Sequence, residues 1–261
     1  MLRPNNITMT DYKTLLLDRR DSIAVVRLNR PEKHNAISRQ MSEDVVACLD
    51  TLEGDDGVHV IVLTGAGEKA FCAGADMSEA AFLPDGDERR DVAARAVARL
   101  AKVRKPVIAA VNGYAYGGGA VLAINCDIRI CAESARFRFV GVSYGLVVGA
   151  SRLPSIVGVP VAKELIFTTR TVDAQEALRI GLANHVVPDA ELERITLEMA
   201  AQVAEHSPGA LIASKEVIDI AAGTLGAAKR ELEHNLELRN SDEHKQRFRA
   251  AAERVVRDPH S

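Results

Sequence analysis

The sequence predicts an α/β protein, a body of alternating strands and helices followed by a region of helices alone. Three observations lead there. Short apolar runs bounded by turn residues recur as far as Cys131, and some are apolar at every position, as in a sheet covered on both faces. Stretches with apolar residues at helical spacing separate these runs. From Val161 onward the helical pattern dominates.

In order, Thr14 to Asp18 and Ile23 to Asn29 read as strands, with Arg19 to Ser22 as their turn. Asn29-Arg30-Pro31 breaks the pattern. Ser38 is placed to cap a helix running to about Leu52, with Val45, Val46, Leu49 and Leu52 on one face. Val58 to Thr64 is a buried strand, and Gly65 to Glu68 a loop. Leu83 to Asp87 mixes Pro, Gly and acids and reads as a mobile segment; Asp87 to Val103 is a helix. Val107 to Val111 and Asp127 to Cys131 are strands. Helices then fall at about 161–168, 173–180, 190–206, 210–222 and 225–257. Pro208 and Gly209 mark the internal boundary, dividing a core (1–207) from a helical C-terminal region (208–261).

Composition excludes several classes. The chain has 261 residues, 47% of them hydrophobic, enough for one large domain or one and a half. A net charge of −3 leaves no basic footprint for nucleic acid. Trp is absent and aromatics are few, which argues against a base-stacking platform. No apolar run is long enough to span a membrane, and Met1 to Thr10 has no secretory h-region. Cys48, Cys72, Cys126 and Cys131 form no CxxC pair and no zinc spacing, and read as reduced thiols of a cytoplasmic protein.

The chemistry concentrates in two glycine turns. Gly117-Gly118-Gly119 follows the strand ending at Val111 and opens the apolar segment Ala120 to Ile124. That pattern reads as strand, tight turn and helix start, with outward N–H groups able to hold a phosphate or an oxyanion. Upstream, Ala73-Gly74-Ala75-Asp76-Met77 follows the strand ending at Thr64. Two such turns can converge on one ligand atom.

Together these segments resemble the crotonase superfamily, also called the enoyl-CoA hydratase/isomerase family. The matching stretches are Leu28-Asn29-Arg30-Pro31 with Asn35-Ala36, Val62 to Gly65, Ala73 to Asp76, Lys105 to Gly113 with the triple glycine, Cys126-Asp127, Arg152-Leu153-Pro154 and Ala174 to Ala177. They cover nearly the whole chain in order, and as a set they are specific. The resemblance implies a crotonase-like right-handed spiral of ββα turns with a helical C-terminal region. It implies coenzyme A as part of the substrate, with no covalently bound cofactor, and a homotrimer or dimer of trimers. The last helix would pack Leu225, Leu232, Leu236, Phe248 and Val255 on the body or on a neighbour. The backbone N–H groups of Ala75 and Gly118 would form an oxyanion hole for the thioester carbonyl and its enolate. Lys33 and Ala36, with Ala73, Gly74, Asp76, Met77 and Gly117, would lie along the acyl-CoA. For Lys33 a solvated loop lysine is an equal reading, and for Asp76 a cap of the next turn is the preferred one.

The departures from the family pattern matter most. The resemblance implies one proton-transferring Glu two residues after the triple glycine, where this chain has Val121. It implies a second at Gly141, anchoring on Phe137 and Gly145, and an isomerase acid at Gly149. None of these can move a proton. His and Tyr of a decarboxylase-like member are missing at Ala75 and near Val148. Val121 with Gly141 resembles the naphthoate synthase branch, where bicarbonate replaces a carboxylate, although that branch's Asp near 148 is absent. Tyr144 is a candidate to reach the site or to cover the pocket. Arg136 and Arg138 share one face of an extended segment and would bind a substrate carboxylate or sit in solvent. Asp127, Arg129 and Glu133 read as structural pairs, and Glu79, Asp85 and Asp87 as surface acids of a closing loop. The expected function is acyl-CoA binding with enolate stabilisation and no ordinary hydration. The alternatives are a non-catalytic acyl-CoA binder, a structural partner of a catalytic paralogue, and a decarboxylase or C–C bond enzyme with a carboxylate or bicarbonate in the gap at Gly141.

Overall fold

The computed structural model describes residues 12–80, 92–239 and 241–257. The chain opens with an antiparallel hairpin, β1 (Leu15–Arg20) and β2 (Ile23–Leu28). Its turn is narrower than expected: Arg19 and Arg20 stay in the ladder, and Asp21 takes a positive φ of 53°. Asp tolerates that conformation better than most side chains. Helix α1 (Arg39–Glu53) starts where expected, because Ser38 Oγ accepts the Met41 N–H at 3.1 Å. It buries Met41, Val45, Cys48, Leu49 and Leu52, while Val46 is only half-buried.

A repeating unit follows. β3 (Val60–Gly65), β4 (Ala70–Cys72), α2 (Met77–Ala80) and α3 (Val92–Leu100) make the first turn, of which residues 81–91 lie outside the described residues. β5 (Val107–Val111), β6 (Tyr114–Tyr116) and α4 (Gly118–Asn125) make the second. β7 (Ile128–Ala132), β8 (Arg136–Arg138) and α5 (Leu153–Val157) make the third. Next come α6 (Val159–Thr168), β9 (Val172–Asp173), α7 (Ala174–Arg179), β10 (His185–Val187) and α8 (Leu192–Ala204). The longer strands form a six-stranded sheet in the order β1-β2-β3-β5-β7-β10, parallel from β2 onward. The three-residue strands form a second sheet, β4-β6-β8-β9, parallel except at β9. Successive ββα turns therefore stack in register, as expected. The short strands β4 and β6 were not expected, whereas β8 falls on the extended segment that carries Arg136 and Arg138, and β6 stands between the buried strand and the glycine turn.

Both faces of the six-stranded sheet are covered, which explains its uninterrupted apolar runs. One face packs Val26, Ile61, Leu63 and Ala109 against α1, α3, α4 and the inner side of the second sheet, including Phe71 and Phe137. The other packs Val25, Val60, Val62 and Ile108 against Leu192 and Ala200 of α8.

The C-terminal helices are α9 (Pro208–Ala221), α10 (Thr224–Arg239) and α11 (Asp242–Arg257). The single helix expected over 225–257 is thus two. Ser241 Oγ accepts the His244 N–H at 3.1 Å, starting a new helix at a capping residue. Nothing in α9 is buried, and Val217, Ile218 and Ile220 stand exposed. Leu232 and Leu236 of α10 are also exposed, whereas Phe248 of α11 is half-buried beside His244. The side chains of Leu225 and Val255 lie outside the described residues. Among the described residues, no helix is long and apolar enough to cross a membrane.

Candidate active site

The two glycine turns touch. A Cβ built on Gly74 would lie 2.8 Å from the Tyr116 carbonyl and 3.1 Å from the Gly118 nitrogen. One on Gly119 would lie 1.9 Å from the Cys72 carbonyl oxygen, so only glycine fits there. Ile37 fixes the first turn: it donates to the Gly74 carbonyl at 2.7 Å, and its own carbonyl accepts the Asp76 N–H at 3.0 Å. In such a parallel bridge the intervening residue, Ala75, points its N–H away from Ile37. Gly118 is the first residue of α4, where N–H groups lack an intrahelical acceptor and the helix dipole is positive. Two backbone donors are thus presented from adjoining turns.

Both turns border a cavity of about 220 Å³. Of the expected site residues, Ala73, Gly74, Ala75, Met77, Gly117, Gly118, Val121, Gly141 and Tyr144 line it. Lys33, Ala36 and Asp76 do not. Lys33 is exposed in a 3₁₀ turn, and Ala36 gives its carbonyl to Arg30. Asp76 caps the start of α2, accepting the Ser78 N–H and hydroxyl, and pairs with Arg30 at 2.8 Å. Burial pushes its pKa up, but the Ser78 hydrogen bonds and Arg30 outweigh it and hold the carboxyl below its ordinary range. A larger cavity of about 300 Å³ lies under α8, beside Thr64, Asn112 and Thr196, but neither glycine turn borders it.

The expected gap at Gly141 is filled. A Cβ there would lie 2.7 Å from both Cβ and Cγ2 of Val148 and 2.9 Å from the Leu146 carbonyl oxygen. A Cβ on Gly149 would lie 3.5 Å from Val121 Cγ2 and 3.2 Å from the Phe139 ring. Val121, Val140 and Val148 make this side of the cavity apolar. The two arginines considered for a substrate carboxylate are engaged elsewhere: the exposed Arg138 donates to the Thr169 carbonyl at 2.7 Å, and Arg136 to those of Glu133 and Ala135. Tyr144 lines the cavity, and its carbonyl accepts from His244 Nδ1 at 2.7 Å. Asp127 pairs with Lys215, and buried Arg129 donates to the carbonyls of Leu182 and Cys126, both structural roles. Glu79 accepts the Arg39 N–H, and Asp85 and Asp87 lie outside the described residues.

Sequence reasoning missed the far wall. Glu231, Asn235 and Arg239 of α10 and Phe248 of α11 all line the cavity. Burial pushes the thiols of Cys48, Cys72, Cys126 and Cys131 up to about 12, which removes them as nucleophiles near neutral pH. Among the described residues, no group of three or more His, Cys, Asp and Glu side chains is gathered as a metal site.

Comparison with known proteins gives a consistent picture. The family model for enoyl-CoA hydratase/isomerase matches residues 18–256. A short-chain-enoyl-CoA hydratase of Clostridium acetobutylicum is 39% identical over 214 residues, covering 80% of this chain and 82% of the relative. A carnitinyl-CoA dehydratase of Proteus mirabilis is 39% identical over 210 residues, covering 78% and 80%. The solved structure of an enoyl-CoA hydratase/isomerase from Xanthobacter autotrophicus superposes with a TM-score of 0.86 at 31% identity, covering 95% of this chain and 94% of that one.

Proposed function

Because the chain belongs to the enoyl-CoA hydratase/isomerase family and has its crotonase fold, we propose that it binds an acyl-CoA thioester and stabilises the enolate. The observation that supports this is the contact between the two glycine turns, with Ala75 and Gly118 both lining one cavity. In this reading the thioester carbonyl accepts from both, and the donors strengthen their hold as negative charge grows on that oxygen. Coenzyme A enters as part of the substrate. Proton transfer does not come from positions 121, 141 or 149, which are Val, Gly and Gly. That apolar wall favours a second reading, an acyl-CoA binder that has no turnover.

The test exploits the place of Gly118 at the first position of α4, where proline is tolerated. Gly118→Pro removes the N–H while keeping the helix, and Gly118→Ala keeps it. Calorimetric titration should show butyryl-CoA bound at least tenfold more weakly by Gly118→Pro than by Gly118→Ala, with free CoA within threefold in both. Equal loss for both ligands would mean Gly118 faces no carbonyl. Exchange of the butyryl α-protons in D₂O then separates the readings: exchange above the solvent background marks an enolate, and its absence with binding retained marks a binder.

A further inference from the structure

The loop that walls the cavity has no regular structure between Leu146 and Arg152, yet it is held at alternate residues from α10. Glu231 Oε1 accepts the Gly149 N–H at 2.8 Å, and Oε2 accepts the Ser151 N–H at 2.6 Å. Asn235 brackets Val147, accepting its N–H at 2.9 Å and donating to its carbonyl. His244 of α11 donates to the Tyr144 carbonyl. The residues on both sides of Val148 are therefore tied to the same helix. Carboxylate–amide hydrogen bonds are roughly twice as strong as neutral ones. The loop also closes on itself, with the Leu146 N–H donating to the Gly141 carbonyl at 2.9 Å.

The consequence falls on the side chain between the latched residues. Val148 presses into the space beside Gly141, with two of its carbons 2.7 Å from where a Cβ would stand. We infer that Glu231 and Asn235 are positioning residues that hold Val148 there, and that this wall selects thioesters whose α-carbon is unbranched. The inference rests on the thioester reading above and sets the α-carbon, one bond from the carbonyl held by Ala75 and Gly118, against this wall. A methyl branch at that carbon meets Val148.

A latch that only closed α10 on the body would affect every ligand alike, so selectivity is the discriminating readout. The probes are butyryl-CoA, 2-methylbutyryl-CoA and free CoA, titrated calorimetrically into the full chain. The native protein should bind the branched thioester about 10–200-fold more weakly than the linear one, the range for a small steric misfit in an apolar pocket. Val148→Ala should narrow that ratio to within threefold and leave free CoA unchanged. Glu231→Ala with Asn235→Ala should narrow it likewise, and adding Val148→Ala to that pair should do nothing further, because both act on one wall. If the pair fails to fold, Glu231→Gln, which keeps the side-chain shape and one acceptor, takes its place, while the native and Val148→Ala comparisons stand alone. Equal native affinity for linear and branched thioesters overturns the inference. So does a latch variant that weakens all three ligands by the same factor. A native protein that binds free CoA but prefers neither thioester to it overturns the underlying thioester reading instead.

Discussion

Gly141→Ala tests the filled gap through stability alone. The added methyl would sit 2.7 Å from Val148 Cβ and Cγ2 and 2.9 Å from the Leu146 carbonyl oxygen, all inside van der Waals contact. Gly141 is buried, and its neighbours are tied back by Glu231 and Asn235, so the strain cannot relax by swinging the loop outward. Overpacking of this kind costs about 1–3 kcal/mol. The cost should fall stepwise with the side chain at 148. Val148→Ala removes one of the two close carbons and Val148→Gly removes both, leaving only the Leu146 oxygen. In urea denaturation, Gly141→Ala should therefore lose about 1–3 kcal/mol in the native background and under about 1 kcal/mol beside Val148→Gly, a coupling normal for residues in contact. A Gly141→Ala variant as stable as the native protein, or a penalty independent of residue 148, would refute the placement of Val148 in that space.

Other outcomes follow from the same geometry. Gly119→Ala drives a Cβ to 1.9 Å from a backbone oxygen, and should destabilise the fold by more than 3 kcal/mol, roughly the upper end of ordinary overpacking, read as a lowered denaturation midpoint. Asp76 has a folded pKa below its unfolded one, so its contribution is complete above about pH 4 and fades as pH falls through the folded value. Asp76→Asn should thus cost about 1–3 kcal/mol at pH 7 by leaving Arg30 without its charged partner, and the two proteins should converge in acid. The exposed Val217, Ile218 and Ile220 of α9 should be covered in a homotrimer or dimer of trimers. Light scattering on the native chain and on Ile218→Asp checks this, and a native monomer at micromolar concentration would contradict it.

What could be read in advance was local. The apolar strands, the Ser38 cap, the Asp76 cap and both glycine turns each declare themselves within a few residues, because backbone conformation and capping are set by near neighbours. Strands β4 and β6 escaped because three residues cannot show a period. The helix break was present as Asn240-Ser241-Asp242, a capping signal overlooked inside a long charged pattern. The far wall had no local signal at all. Glu231 bonds residues 80 and 82 positions away, and a charged residue on an amphipathic helix otherwise reads as solvated surface. For the same reason Gly141 looked like a vacancy: absence of a side chain is visible in sequence, but the neighbour that takes its space is not.

That last point bears on whether hydration can be restored by returning the two acids. The backbone donors do not depend on the side chains at 121 and 141, since α4 is set by Gly119 against Cys72 and the first turn by Ile37. The acids do depend on their surroundings. A Glu at 121 would replace a buried valine whose Cγ2 lies 3.5 Å from a Cβ built on Gly149, burying a carboxylate among apolar groups and raising its pKa. A Glu at 141 would meet Val148 before its carboxylate had room to turn. Val121→Glu with Gly141→Glu should therefore remain inactive on crotonyl-CoA, as the native chain should, since each missing acid or base withholds about 10²–10⁴ in rate. The spectrophotometric loss of the enoyl thioester is the assay, with butyryl-CoA titration as the control that the donors still bind. Adding Val148→Gly removes the two closest obstructions and should give the first measurable hydration. Turnover in the double variant without that third change would show that the loop yields to a side chain at 141, and that the wall is softer than its latch to α10 implies.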